Sequence, residues 1–130
     1  MARTSAEYAL LGRKVWAAFE CAALAGIAGD ADQQKRLFTL GYEQGKTFIE
    51  AQRSGKIERQ DLTREVPVGL LGLDTPSATS ADFVLGRVWE AVLEEARKIA
   101  YDSESNPNGD EGLAAWLALQ HFRNKNCSLM

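Results

Sequence analysis

At 130 residues, with 45% apolar and 25% charged residues, the chain has ordinary globular composition and can bury a core without metals or several disulfides. Its net charge is −3, and basic residues are scattered singly or in pairs such as Arg13-Lys14 and Lys35-Arg36, which excludes the concentrated positive stripe of a nucleic-acid binder. The longest apolar runs, "AALAGIAG" and "VPVGLLGL", are far too short to cross a bilayer, so no integral membrane segment is expected.

The first helix is expected to start near Thr4. Thr4-Ser5-Ala6-Glu7 fits a capping box, in which the hydroxyl takes an amide at the helix start and Glu7 reaches back. Tyr8, Leu11, Val15, Phe19 and Ala22 recur at helical spacing as one apolar face, widened by Trp16 and Ala23. Gly26 and Gly29 weaken the helix, and Gly29-Asp30 reads as a stop followed by the next N-cap. A second helix then covers about residues 31–53, with Phe38, Gly41, Tyr42, Gly45, Phe48 and Ile49 on one stripe and Ser54-Gly55 as its stop.

Residues 56–79 are less regular. Asp61 is placed as the cap of a short helix that Pro67 limits. Residues 66–73 are apolar and β-branched at their start, and with no second strand to pair with they read as a short helix or a buried extended loop. "DTPSATS" is a turn-rich linker. A third long helix covers about residues 80–101, with Leu85, Val88, Trp89, Val92, Ala96 and Ile99 as its stripe. After the loop "SESNPNGD", Asp110 caps a last helix carrying Leu113, Trp116, Leu117 and Phe122. Four amphipathic helices plus one or two short segments predict an all-α fold. The expectation is a single domain over residues 1–130, as a bundle or an irregular array.

The stretch "LGYEQGKTFIE" resembles a phosphate-binding loop, with Gly41 followed by Gly45-Lys46-Thr47. That loop needs four residues between its first glycine and Gly-Lys-Thr, whereas here there are three, Tyr42, Glu43 and Gln44. Glu43 would also set a carboxylate against the phosphate oxygens, and the stretch follows a polar helical segment rather than a buried strand. No nucleotide and no cofactor are therefore expected. Gly41 and Gly45 are four apart on the apolar face, and each costs about 1 kcal/mol relative to alanine in a helix interior. Close approach of another helix or a ring is the expected compensation. Lys46 is expected to pair with Glu43 or Glu50.

Cys21 lies in the first helix and Cys127 near the C-terminal end. A bridge between them would staple a frayed tail to that helix, and closing so long a loop contributes up to roughly 4–5 kcal/mol in the chain-entropy model. The alternative is two reduced thiols, one a small buried hydrophobe and one an exposed tail residue. A bridge implies an oxidising compartment, the periplasm or the exterior; reduced thiols leave the cytoplasm open. The N-terminal stretch "MARTSAEYALL" has no apolar run of signal-peptide type, so the expectation is a cytosolic protein or a mature form whose signal has been removed. Cys127-Ser128-Leu129-Met130 matches a prenylation signal only loosely, because Ser128 is not aliphatic and no polybasic segment precedes it. Two cysteines and one histidine are too few and wrongly spaced for a zinc quartet, so no metal is expected.

Catalysis by His121, the only histidine, would need an orienting carboxylate. Glu90, Glu94 and Glu95 read as a solvated face salt-bridged to Lys98, and no Gly-x-Ser-x-Gly or His-Glu-x-x-His motif occurs. Trp16, Trp89 and Trp116 lie one per helix, each on or beside an apolar stripe; with Phe38, Tyr42 and Phe48 they would line an aromatic pocket between helices. The expected function is that of a small non-enzymatic helical protein that binds another protein, of the inhibitor, immunity or accessory type found in a bacterial envelope. An acidic surface favours a basic partner. The alternatives are a small-ligand carrier using the aromatic pocket, and an enzyme using His121 and carboxylates.

Overall fold

The four longest helices each begin at a side-chain cap that accepts an otherwise orphaned amide. The computed structural model describes residues 3–67 and 80–130. Helix α1 (Ser5–Ile27) follows Thr4, whose Oγ1 accepts the Glu7 amide at 3.2 Å. The Glu7 carboxylate returns to the Thr4 hydroxyl at 3.2 Å, so the reciprocal bond of the predicted capping box closes on the side chain rather than on the main chain. Asp30 caps α2 (Ala31–Arg53), Ser80 caps α4 (Ala81–Ala100) and Asp110 caps α5 (Glu111–Asn124), each taking the amide three residues on. Every regular element among the described residues is a helix, so the fold class is all-α.

Helices α1 and α2 form a hairpin of equal arms. Gly29 adopts φ +87°, a conformation that side chains rarely tolerate, and lets the Asp30 amide return to the Ala25 carbonyl at 2.9 Å. At the other end of α2, Gly55 repeats the device with φ +72°. Helix α1 touches α2, α3 (Arg59–Glu65), α4 and α5, and its residues Cys21, Ala22, Ala23, Leu24 and Ala25 are all buried in succession. Over that stretch the helix is buried all round, which places this end of α1 in the interior of the fold.

Between α2 and α4 lies α3 (Arg59–Glu65), and here the expected role of Asp61 is corrected. The N-cap residue is Glu58, which makes no side-chain cap bond, whereas Asp61 sits inside the first turn and is buried. Ser5, at the start of α1, supplies the missing acceptor. Its Oγ takes the Glu58 amide at 2.7 Å and donates to Asp61 Oδ2 at 2.6 Å. The carboxylate is thus satisfied across a long sequence separation, which local spacing does not encode. Arg13 ties α1 to the other end of α3 through the Glu65 carboxylate at 3.0 Å. Val66 is extended and buried; the rest of the segment 66–73 beyond Pro67, and the linker before Ser80, lie outside the described residues.

On α4 the buried residues are Val84, Leu85, Val88, Val92, Ala96 and Ala100. Trp89 and Ile99, placed on the stripe by spacing alone, stand at its partly buried flanks. On α5 the buried residues are Ala114, Ala118 and Phe122, so the helix faces the core with its alanines. Trp116 is 56% exposed, which overturns its expected place on the apolar stripe. Two positions from Ala114 is about 200° around a helix, the opposite side.

Asn106 joins α4 to α5. It is buried; its Nδ2 donates to the Ala100 carbonyl at 3.0 Å and to the Asp110 carbonyl at 2.9 Å, while its Oδ1 accepts the Asp110 amide at 2.9 Å. One side chain therefore satisfies the last turn of one helix and the cap residue of the next. In the same loop the Ser105 amide, then the Glu104 amide, hold the Asp102 carboxyl below its usual range. Asn106→Ala should cost about 2 kcal/mol, since it strands buried main-chain groups. Urea denaturation should show a lower midpoint with an unchanged slope. An unshifted midpoint would mean that the loop is not held this way.

Candidate functional site: an aromatic cluster where α1, α2 and α4 meet

Phe19 of α1 is fully buried and stands at the centre of a group of rings. Its centroid lies 5.3 Å from Phe38 on α2 and 5.7 Å from Trp89 on α4, the latter edge to face. Phe38 and Trp89 meet edge to face at 5.0 Å, and Tyr42 stacks beside Phe38 at 6.4 Å. These offset and T-shaped geometries are those that the ring quadrupoles favour, each contributing roughly 0.5–1.5 kcal/mol beyond area burial. Phe38 is 36% exposed, and Tyr42 and Trp89 are partly buried. One side of the cluster is therefore anchored on Phe19 and the other faces solvent.

Gly41 makes the anchor possible. A Cβ there would stand 2.8 Å from Phe19 Cδ1 and 3.3 Å from Ala18 Cβ, so the ring lies directly on the α2 backbone. One turn later, a Cβ on Gly45 would collide with Leu85 of α4. A third close approach, at Gly12, has no counterpart in the sequence reading; a Cβ there would meet Phe48 Cε1 at 2.8 Å and Val66 Cγ2 at 3.0 Å. The phosphate-loop stretch is thus continuous helix inside α2, and its glycines face side chains. Lys46 does not pair with Glu43 or Glu50 as expected but sits over the Tyr42 ring, 5.6 Å from its centroid.

The six aromatic residues expected to line one pocket are not brought together. Phe38, Tyr42 and Trp89 share the cluster with Phe19. Phe48 is buried ten positions along α2 from Phe38, about 15 Å away at the helical rise, against Gly12. Trp16 is partly buried at the edge of the core, and Trp116 points outward. The rings of the cluster close on one another rather than around a space. Concavities on the described surface include one lined by Glu58, Arg59 and Arg64 on α3 and one lined by Phe83 and Arg87 on α4.

No family model, curated protein or solved structure matches this chain. The functional reading therefore rests on the chemistry of its own surface.

Among the described residues, His121 is partly buried with no carboxylate in an ion pair with it, and no group of three metal-ligating side chains converges. Glu94 and Glu95 lie 4.0 and 3.5 Å from Lys98, an exposed pairing of the expected kind that contributes little. No described helix is long and apolar enough to cross a membrane. The Cys21 and Cys127 sulfurs lie 2.05 Å apart, at disulfide distance, and neither cysteine is free. Cys127 is fully buried, so its thiol is not offered to a prenyl donor.

The Tyr42 hydroxyl donates to the Asp82 side chain. That bond, with burial and the Asp82 charge adding to it, raises the Tyr42 pKa above the usual 10.0. A raised folded value favours the neutral phenol. Its contribution to stability is fully present below the unfolded value and is lost as pH rises through the folded one. In a tyrosinate absorbance titration, Asp82→Asn should move ionisation of Tyr42 to lower pH. An identical profile for variant and wild type would contradict the bond.

Proposed function

We propose that this chain is a non-enzymatic helical protein that binds another protein, using the solvent-facing side of the Phe38–Tyr42–Trp89 cluster. The observation that carries the reading is a contiguous group of half-exposed rings held in fixed geometry from below by buried Phe19. Rigid aromatic side chains dominate binding energy at protein interfaces because they lose little entropy on docking. Phe83 and Trp116 are individually more exposed, but neither ring is among the ring contacts of this group, and single exposed apolar residues are ordinary. The net charge of −3 favours a partner with a basic surface.

An inhibitor, immunity or accessory role in a bacterial envelope fits this reading. Sulfurs at disulfide distance support an oxidising location, periplasmic or secreted. A ligand-carrier role is less well supported, because the rings fill the space that a ligand would need.

The test is affinity capture from an envelope extract of the native organism, followed by binding measurements with the purified partner. A stoichiometric partner should lose about thirtyfold in affinity with Phe38→Ser, the loss expected of a hot-spot residue, and nothing with Trp116→Ala. The reading fails if no stoichiometric partner is captured. It fails equally if a folded Phe38→Ser protein binds that partner as the wild type does.

A further inference from the structure

Beyond α5 the chain turns through Asn126, in the left-handed region at φ 55°, into a short 3₁₀ turn, Cys127–Leu129. This C-terminal strap lies back across the α1–α2 hairpin and is held at three points. Cys127 meets Cys21 of α1 at bonding distance. Lys125 Nζ contacts Glu20 Oε1 of α1 at 3.2 Å. Arg36 Nη1 of α2 donates to the Met130 main-chain oxygen at 2.5 Å, and Gln33 Oε1 steadies that guanidinium by accepting from its Nε and Nη2 at 2.9 and 2.7 Å. The covalent point is sealed while the ion pair is not: Cys127 is 0% and Cys21 2% exposed, whereas the Lys125 and Glu20 side chains are 38% and 26% exposed.

Thiol–disulfide exchange requires a thiolate to approach a sulfur in line with the bond that it breaks. Sulfurs buried this completely offer no such approach until something moves. The least costly motion is local, because apart from Cys127 the only strap side chain packed against the core is Met130, and the strap's polar anchors are part-exposed, where ion pairs contribute little and salt screens them. We infer that residues 125–130 form a gate over the Cys21–Cys127 bridge, which a dithiol reductant reaches when the Lys125–Glu20 and Arg36–Met130 contacts open while the helices stay folded. In the step itself, one thiolate of the reductant attacks a bridge sulfur. The bond between the cysteines breaks, a mixed disulfide forms and the other cysteine leaves as thiolate. The second thiol of the reductant then displaces the bound cysteine and closes the reductant's own disulfide. Two electrons pass to the protein, and the two protons of the dithiol end on Cys21 and Cys127.

The experiment measures the rate at which dithiothreitol reduces the native protein, with acid quenching, alkylation of released thiols and mass analysis, for wild type, Glu20→Gln, Arg36→Gln and the double variant. Each single variant should be reduced several-fold faster than wild type and the double variant on the order of tenfold faster, the range that surface contacts span. The wild-type rate should rise with ionic strength and depend only weakly on low concentrations of urea. Double-variant rates equal to wild type would overturn the gate. A rate that climbs with urea as steeply as global unfolding would also overturn it, because the bridge would then be reached only through the unfolded chain. If the variants also melt at lower temperature, the urea slope still decides: shallow supports the gate and steep refutes it.

Discussion

Replacing both cysteines, Cys21→Ala with Cys127→Ala, should lower stability by roughly 2–5 kcal/mol, the largest single effect expected in this chain. The two residues are 106 apart in sequence, so the bridge removes a great deal of freedom from the unfolded state. Alanine keeps both sites apolar, which matters because both are buried in the core. The remaining anchors of the tail are a part-exposed ion pair, one hydrogen bond to a main-chain oxygen and the packing of Met130 against the core. The ion pair and the hydrogen bond contribute little on their own. For a domain of this size the melting temperature should fall on the order of 10–20 °C. Most of the helical circular dichroism should survive at low temperature, since α1 and α2 contact each other along their lengths independently of the tail. A change of less than a degree would show that the bridge is absent in solution or contributes nothing.

The second large effect is expected at Gly41. A Cβ at that position would stand 2.8 and 2.9 Å from two atoms of Phe19, whose ring is fully buried and wedged between Phe38 and Trp89. Phe19 has nowhere to retreat. Gly41→Leu should therefore cost about 3 kcal/mol or more, at the upper end of overpacking costs. Gly41→Ala gains about 1 kcal/mol of helix propensity and loses at least as much to the clash, so it should come out neutral to destabilising. Gly86, in the interior of α4, provides the control. Outside its own helix turn, no atom of the described residues lies within 4 Å of a Cβ built there, so Gly86→Ala should stabilise the protein by about 0.5–1 kcal/mol. Stabilisation by both alanine variants would show that propensity alone governs the two sites and that the Gly41–Phe19 contact is not tight.

Helix ends were the most legible part of the sequence because they are local chemistry. Thr4, Asp30, Ser80 and Asp110 each act on an amide three residues away, within reach of any reading of neighbouring residues. The α2 stripe was legible for a similar reason: Phe38, Gly41, Tyr42 and Gly45 repeat at the helical period, and two glycines on an apolar face ask for something large to fill the space. The filler itself, Phe19, was visible only as one apolar residue among several on α1. Which ring meets which glycine depends on how two helices cross.

The errors share a physical origin. Along α5, Leu113, Trp116 and Leu117 are far larger than Ala114 and Ala118, yet the alanines are the residues that are buried in the core. Small side chains let helices approach closely, so the interface is made by the residues that periodicity weights least. Asp61 was assigned to a local cap because its partner Ser5 is remote in sequence. Lys46 was assigned to a neighbouring carboxylate, although the Tyr42 ring lies at the same helical spacing and offers its face to a cation. The aromatic pocket failed on distance along the helix axis, since Phe48 lies at the far end of α2 from the rings that it was grouped with.

The bridge links the architecture to the compartment, and it can be read directly. Protein purified without reductant should be titrated for thiols, folded and then unfolded, and weighed intact. The expected result is no titratable thiol in either state and a mass lower than the fully reduced chain by two hydrogens. Two free thiols in a well-folded sample would contradict the staple, the gate over it and the assignment to an oxidising compartment together.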